Sequence, residues 1–193
     1  MNKETRYIDS QFRSIEDSRM VEGYALVFNS YSEDLGGFVE IIDKNALDGV
    51  LENSDVLCLL NHNENKGVLA RSRQGEGSLT LTIDEVGLKY TFQAPNTSLG
   101  DELLEGLRRK DITSSSFAFS LADGGDKWEK QSDGTYIRTI LKFDKIFDVS
   151  PVYNPAYSST SVNCKRFNEV KKIEIEELNN YWYDLDNTIN EIN

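Results

Sequence analysis

The chain has 193 residues, with 33 Asp and Glu against 21 Lys and Arg and a net charge of −12. That length suits one well-cored domain with a small appendage. Free nucleic acid is a poor partner for such a surface, since phosphate binding needs clustered Lys and Arg, and no apolar run is long enough to span a bilayer.

The N-terminus, Met1-Asn2-Lys3-Glu4-Thr5-Arg6, leads into no signal-type apolar core, so the protein is expected to start in the cytoplasm. In that compartment Cys58 and Cys164 are expected to be free thiols. One His and two distant Cys lack metal-ligand spacing, and no metal or cofactor is expected.

Residues 1–19 are polar without a strong period, and no element is assigned to them. Met20 to Phe28 reads as a strand, Asn29 to Gly37 as a loop, and Phe38 to Ile42 as a second strand. Asp43 is placed to cap a brief helix with Leu47, Val50 and Leu51 on one face. Asp55-Val56-Leu57-Cys58-Leu59-Leu60-Asn61-His62 then reads as a buried strand ending on an imidazole. Val68 to Arg73, Ser78 to Ile83 and Leu88 to Ala94 are further strands, and Pro95 stops the last of them.

Ser98 is expected to cap a helix to Lys110. Asp101 and Glu102 fall in its first turn, Arg108, Arg109 and Lys110 in its last, which suits the helix dipole. Leu99, Leu103, Leu104 and Leu107 form its apolar stripe. From Ser116 to Leu121 small and bulky side chains alternate, a strand signature. Asp123 to Asp133 is a polar excursion around Trp128. Tyr136 to Leu141 and Lys142 to Val149 give one or two more strands, ended by Ser150-Pro151. Val152 to Thr160 reads as irregular.

From Val170 onward Gly and Pro vanish. Ile175, Leu178, Trp182, Leu185, Ile189 and Ile192 recur at steps of three and four, an a/d seam. Two readings stay open: a helix folded back on its own domain, or one that pairs with a partner or a second copy. The domain expected is 1–168, with an amphipathic helix over 169–193. The fold class expected is mainly β with inserted helices (α+β), a barrel or sandwich.

His62 is the only histidine, so a proton carrier near neutral pH falls to it first. A Cys58/His62 nucleophile pair is disfavoured by the apolar flanks of Cys58. A serine hydroxyl becomes a nucleophile when a neutral imidazole takes its proton, and the imidazole works best when a carboxylate fixes its tautomer. Ser116, His62 and Asp148 suit those parts. From chemistry alone they are a minority hypothesis. Lone histidines are more often structural, serine runs are often strand edges, and an Asp near Ser-Pro is usually a turn former.

The order of motifs changes that balance. Gly23-Tyr24-Ala25-Leu26-Val27-Phe28-Asn29, Phe38-Val39-Glu40-Ile41-Ile42 through Leu47, and Leu59-Leu60-Asn61-His62-Asn63 come first. Asp84-Glu85-Val86-Gly87-Leu88, Ser116-Phe117-Ala118-Phe119 and Asp148-Val149-Ser150-Pro151-Val152 with Asn154-Pro155-Ala156-Tyr157 follow. Together they resemble the prohead maturation proteases of tailed phages. The resemblance implies a closed β-barrel ringed by helices, like the herpesvirus assemblin protease. It implies a serine endopeptidase acting inside the immature capsid on scaffold and on the N-terminal extension of the major capsid protein. It implies His62 as base and Ser116 as nucleophile. Ala118 departs from the family's glycine. Among the serines, alignment on Phe-x-Phe selects Ser116, and Ser115 faces the other side of the strand. Related capsid proteases use an acid or a second histidine as the third member, so with His62 alone the resemblance implies an acid. Asp148 is chosen over Asp144, although the two share a strand face and pattern alone does not separate them. The alternatives are a non-catalytic scaffold or decoration module of the capsid on the same fold, and an unrelated binding barrel.

Overall fold

The alternating segment that carries the serines lies inside the largest sheet, with a strand on either side. The computed structural model describes residues 3–9, 12–14, 18–153, 167–177, 179–180 and 183. The strands are β1 Glu4–Asp9, β2 Arg13–Ser14, β3 Met20–Val27, β4 Phe38–Ile42, β5 Asp55–Cys58, β6 Ala70–Arg73, β7 Glu76–Gly77, β8 Leu79–Ile83, β9 Gly87–Gln93, β10 Ser114–Leu121, β11 Asp126–Lys130, β12 Tyr136–Ile140 and β13 Phe143–Val152. Helix α1 is Ser98–Arg109, and α2 covers 167–177. The fold is mainly β with two helices among the described residues.

The strands form three sheets, in the orders β1-β10-β13-β5-β6-β7, β2-β3-β9-β8 and β11-β12-β4. β13 with β5 and β12 with β4 are parallel pairs, and the remaining pairs are antiparallel. The core gathers Val21, Leu26, Val56, Leu88, Phe92, Leu103, Phe117, Phe119, Phe143 and Val149, all buried. Phe117, Phe119 and Phe143 meet with ring centroids 5.0–6.2 Å apart, which locks β10 onto β13.

Helix α1 follows its leucine stripe, with Leu99, Leu103 and Leu107 buried. Its N-cap is Thr97, whose side chain accepts from the Gly100 N–H, and not Ser98. Lys110 ends it in the left-handed conformation.

Several segments differ from the sequence expectation. β1 and β2 lie in the stretch given no element. Glu4 and Arg6 are buried charges, so inward and outward positions of β1 are not separated by polarity. Glu4 and Arg6 join Glu40 of β4 and Arg138 of β12 in a buried ion cluster. β11 lies in the polar excursion. Trp128 packs on Phe38 at 4.8 Å and Asp126 pairs with Arg138 at 2.8 Å, which supply the partners its sequence does not advertise. The helix after Asp43 is a run of turns closed by a 3-10 turn, Leu51–Asn53. β13 continues through Ser150 and Pro151. Proline has no N–H to offer the ladder, but its carbonyl accepts from the Asn61 N–H at 2.9 Å.

The chain divides into two compact units, Met1–Tyr157 and Ser158–Asn193. In the second, Ile173 and Ile175 of α2 are exposed. Leu178, Trp182, Leu185, Ile189 and Ile192 of the expected seam lie outside the described residues, as do Cys164 and Asn154-Pro155-Ala156-Tyr157. No helix among the described residues is long and apolar enough to cross a membrane.

Candidate active site

β5 carries the histidine to its place by following β13. Leu57 and Cys58 pair with Asp148 and Val149. Beyond the strand end, Leu59 N donates to Val149 O and Asn61 N to Pro151 O. The expected strand to His62 therefore stops at Cys58, and the chain turns sharply. Asn61 and His62 both sit at φ 55°, in the left-handed region, where Asn and His are among the more tolerant non-glycine residues. Asn63 then caps a 3-10 turn, Glu64–Lys66, by accepting from Asn65 N–H. Two left-handed residues in succession cost energy that the surrounding structure must hold. What they achieve is to swing the imidazole back over β13 and β10.

β10 lies between β1 and β13, and Ser116 is opposite Tyr7 on one side and Ser150 on the other. Alternation puts Ser114, Ser116 and Ala118 on one face and Ser115, Phe117 and Phe119 on the other. Asp148 of β13 pairs with Ala118, beside Ser116. Ser116 Oγ is 2.5 Å from His62 Nε2, and Asp148 Oδ1 is 2.5 Å from His62 Nδ1. The three residues named from sequence thus form one hydrogen-bonded chain. The competitors are elsewhere. Ser115 Oγ bonds the Tyr90 hydroxyl at 2.9 Å inside the core. Ser120 Oγ donates to Asp144 Oδ2 at 3.1 Å. Asp144 lies four residues before Asp148, near the start of β13, where the register has reached Ser120 and Leu121.

A model of the caudovirus prohead serine protease family matches residues 8–173. The chain belongs to that family. It is therefore a serine protease of phage capsid maturation. Among solved structures, that of the bacteriophage T4 capsid assembly protease is similar over 80% of this chain and 100% of that one, at 15% identity and a TM-score of 0.45. No curated protein sequence matches.

The electrostatics of the site centre on Asp148. Burial pushes its carboxyl up, but the hydrogen bonds from His62 and Ser150 and the charges of His62 and Lys3 outweigh this, and the net shift is downward. It is a carboxylate at neutral pH. Its two oxygens are treated differently. Oδ1 receives His62 and Ser150, while Oδ2 takes no hydrogen bond from the described residues and faces Lys3 Nζ at 3.3 Å. Cys58, fully buried, has its thiol pushed well up by burial and by the charge of Asp148. It is not a nucleophile at neutral pH, and both ring nitrogens of His62 are engaged by other groups.

Two partners escaped the sequence reading. Ser150 stands inside the Asp148-to-Val152 motif, but its contact depends on the β10–β13 register, which the motif does not show. The Arg6 carbonyl of β1 accepts a hydrogen bond from Ser116 Oγ at 2.8 Å, and backbone acceptors leave no trace in a sequence. Ser116 is 1% exposed in this arrangement. Its single hydroxyl proton has two acceptors within reach, Arg6 O and His62 Nε2.

Proposed function

We propose that Ser116 is the nucleophile, His62 the general base and then acid, and Asp148 the carboxylate that orients the imidazole. The observation that carries this reading is the pair of 2.5 Å contacts on either side of one ring. Nδ1–H donates to ionised Asp148, which leaves the Nε2 lone pair for the Ser116 proton. As Oγ bonds the scissile carbonyl carbon, that proton passes to Nε2. The imidazolium, stabilised by Asp148, returns it to the departing amine. Water then enters and gives a proton to Nε2 as its oxygen attacks the acyl carbon, and the imidazolium returns that proton to Ser116 Oγ as the ester C–O bond breaks and the acid product leaves.

The substrates in this proposal are the scaffold protein and the N-terminal extension of the major capsid protein, cut inside the immature capsid. Residues 1–168 act as the protease domain. Residues 169–193 bring protomers together, with free nucleic acid and membrane disfavoured by the acidic balance. We read the sheets of the first unit as walls of one closed barrel. β1 and β10 lying against β3, and β6 and β7 against β8, support that reading.

The test is co-expression of the full chain with scaffold and major capsid protein, with products followed by mass spectrometry. Ser116→Ala is expected to abolish processing with the fold intact, and an active-site serine phosphonate to label wild type alone. Processing by Ser116→Ala at the wild-type rate would end the assignment.

A further inference from the structure

Ser150 is fully buried on β13, two residues beyond Asp148 on the same face of the strand. Its Oγ donates to Asp148 Oδ1 at 2.8 Å and lies 3.2 Å from His62 Nδ1. Resting on the proposed roles of Ser116, His62 and Asp148, we infer that Ser150 is a positioning residue that selects the His62 tautomer.

The argument is a count of protons. A serine hydroxyl has one proton and two lone pairs. The proton of Ser150 is committed to Asp148 Oδ1, because an ionised carboxylate can only accept. What Ser150 presents to Nδ1 is therefore a lone pair. Asp148 Oδ1 presents another, at 2.5 Å. Nδ1 is thus faced by two acceptors, and the arrangement is satisfied only when Nδ1 carries a proton. In the neutral ring that leaves Nε2 bare, which is the form a general base for Ser116 needs. The opposite tautomer would set a bare Nδ1 against two oxygens and point Nε2–H at Ser116.

The same hydroxyl fixes the rotamer of Asp148. Among the described residues Oδ2 has no hydrogen bond to hold it, and the charge it faces, Lys3, is on a half-exposed side chain. Without Ser150 the carboxylate would be restrained by His62 itself and by that exposed ammonium. The other titratable group near the carboxylate, Cys58 on β5, is kept neutral by burial. Ser150 therefore supplies the buried neutral donor. A hydrogen bond to a charged group is worth more than one between neutral groups, so its removal is expected to be visible.

The single histidine makes the test direct. Full-length protein labelled with ¹⁵N-histidine gives ring nitrogen signals from His62 alone, and these report the tautomer without any substrate. Wild type is expected to show protonated Nδ1 and bare Nε2 in the neutral ring. Ser150→Ala is expected to show a mixture of tautomers. Its kcat should fall on the order of tenfold with KM within about twofold. The acid limb of its activity profile should move to higher pH, because a carboxylate stripped of a donor holds the imidazolium more strongly. Ser150→Thr, which keeps the hydroxyl, should restore the wild-type nitrogen signals. Should Ser150→Ala not fold, Ser150→Cys keeps the shape with a weak donor and is read the same way. The proposal is overturned if the substituted chain keeps the wild-type tautomer and acid limb, however much activity is lost, since that pattern belongs to a merely structural serine. Failure of the underlying catalytic reading looks different: cleavage would survive Ser116→Ala whatever the nitrogen spectrum of Ser150→Ala.

Discussion

Asp148 Oδ1 lies 2.5 Å from His62 Nδ1 across 86 residues of sequence, while Asp144, four residues earlier on the same strand, is engaged by Ser120. The two acids therefore differ in what they do, and substitution separates them. Asp148→Asn puts an amide beside Nδ1. Its NH₂ donates to a bare Nδ1 and turns the ring so that Nε2 carries the proton. The expected loss in kcat is on the order of 10³–10⁴-fold with the fold retained. Asp144→Asn is expected to change kcat less than about threefold, since it touches neither ring nitrogen. Steady-state rates on capsid protein, with circular dichroism as the folding control, decide between them. Comparable losses from both would mean that the His62–Asp148 contact is not what orients the base.

The serine run gives a second separation. Ser115 bonds the hydroxyl of Tyr90, which is fully buried. Ser115→Ala strands that hydroxyl in the core, at a cost of about 1–3 kcal/mol. Denaturant unfolding should show that loss, while cleavage stays within a few-fold of wild type. Ser116→Ala should do the reverse, with stability nearly kept and cleavage gone. If Ser115→Ala abolished cleavage at unchanged stability, the register of β10 would be wrong by one residue.

These pairs also mark how far a sequence can be read. Period-two alternation found β3, β4, β9, β10 and β12, and the leucine stripe found α1, because each buries bulky apolar side chains, even where Glu40 or Arg138 joins them. β1 was not visible because its buried side chains are Glu4 and Arg6, whose partners come from β4 and β12. β11 was hidden for the same reason, with Asp126 held by Arg138. At the site, residue types named His62 and the Phe-x-Phe spacing named Ser116. The choice of Asp148 over Asp144 depends on the register that sets Asp148 opposite Ala118, beside Ser116, and no periodicity encodes a register. The turn that aims His62 needs two left-handed residues in a row, and the sequence Asn61-His62 permits this without requiring it.

The C-terminal segment carries a prediction of its own. Ile173 and Ile175 of α2 are more than half exposed, as is Tyr183. Three heptads of an a/d seam are marginal as a lone helix, and pairing with a second copy would cover it. Removing residues 170–193 is expected to lower the mass in solution to that of one chain. Cleavage of a short peptide should persist, because Ser116, His62 and Asp148 all lie in the first unit. An unchanged mass would remove the case for self-association through this helix.

Acid should weaken the fold through two buried carboxyls. Burial pushes Glu4 up, but Arg138 and Arg6 outweigh it, and the net shift is below its ordinary 4.5. Asp148 is likewise held below its ordinary 3.8, its burial being outweighed by His62, Ser150 and Lys3. For both groups the unfolded chain binds a proton at a higher pH than the folded one does. Their contribution is complete above the unfolded values and is lost as pH falls through the folded ones. Stability should therefore be flat in these terms from neutral pH down to about pH 5 and drop steeply below about pH 4. Glu4→Gln removes one carboxylate from a cluster that holds Arg138 at 1% exposure, and breaking a buried pair costs about 3 kcal/mol. That variant should have a lower Tm at pH 7 and a shallower fall in Tm between pH 5 and pH 3. A parallel decline in the two proteins would show that Glu4 is not ionised in the fold, and that β1 is held by something other than its charges.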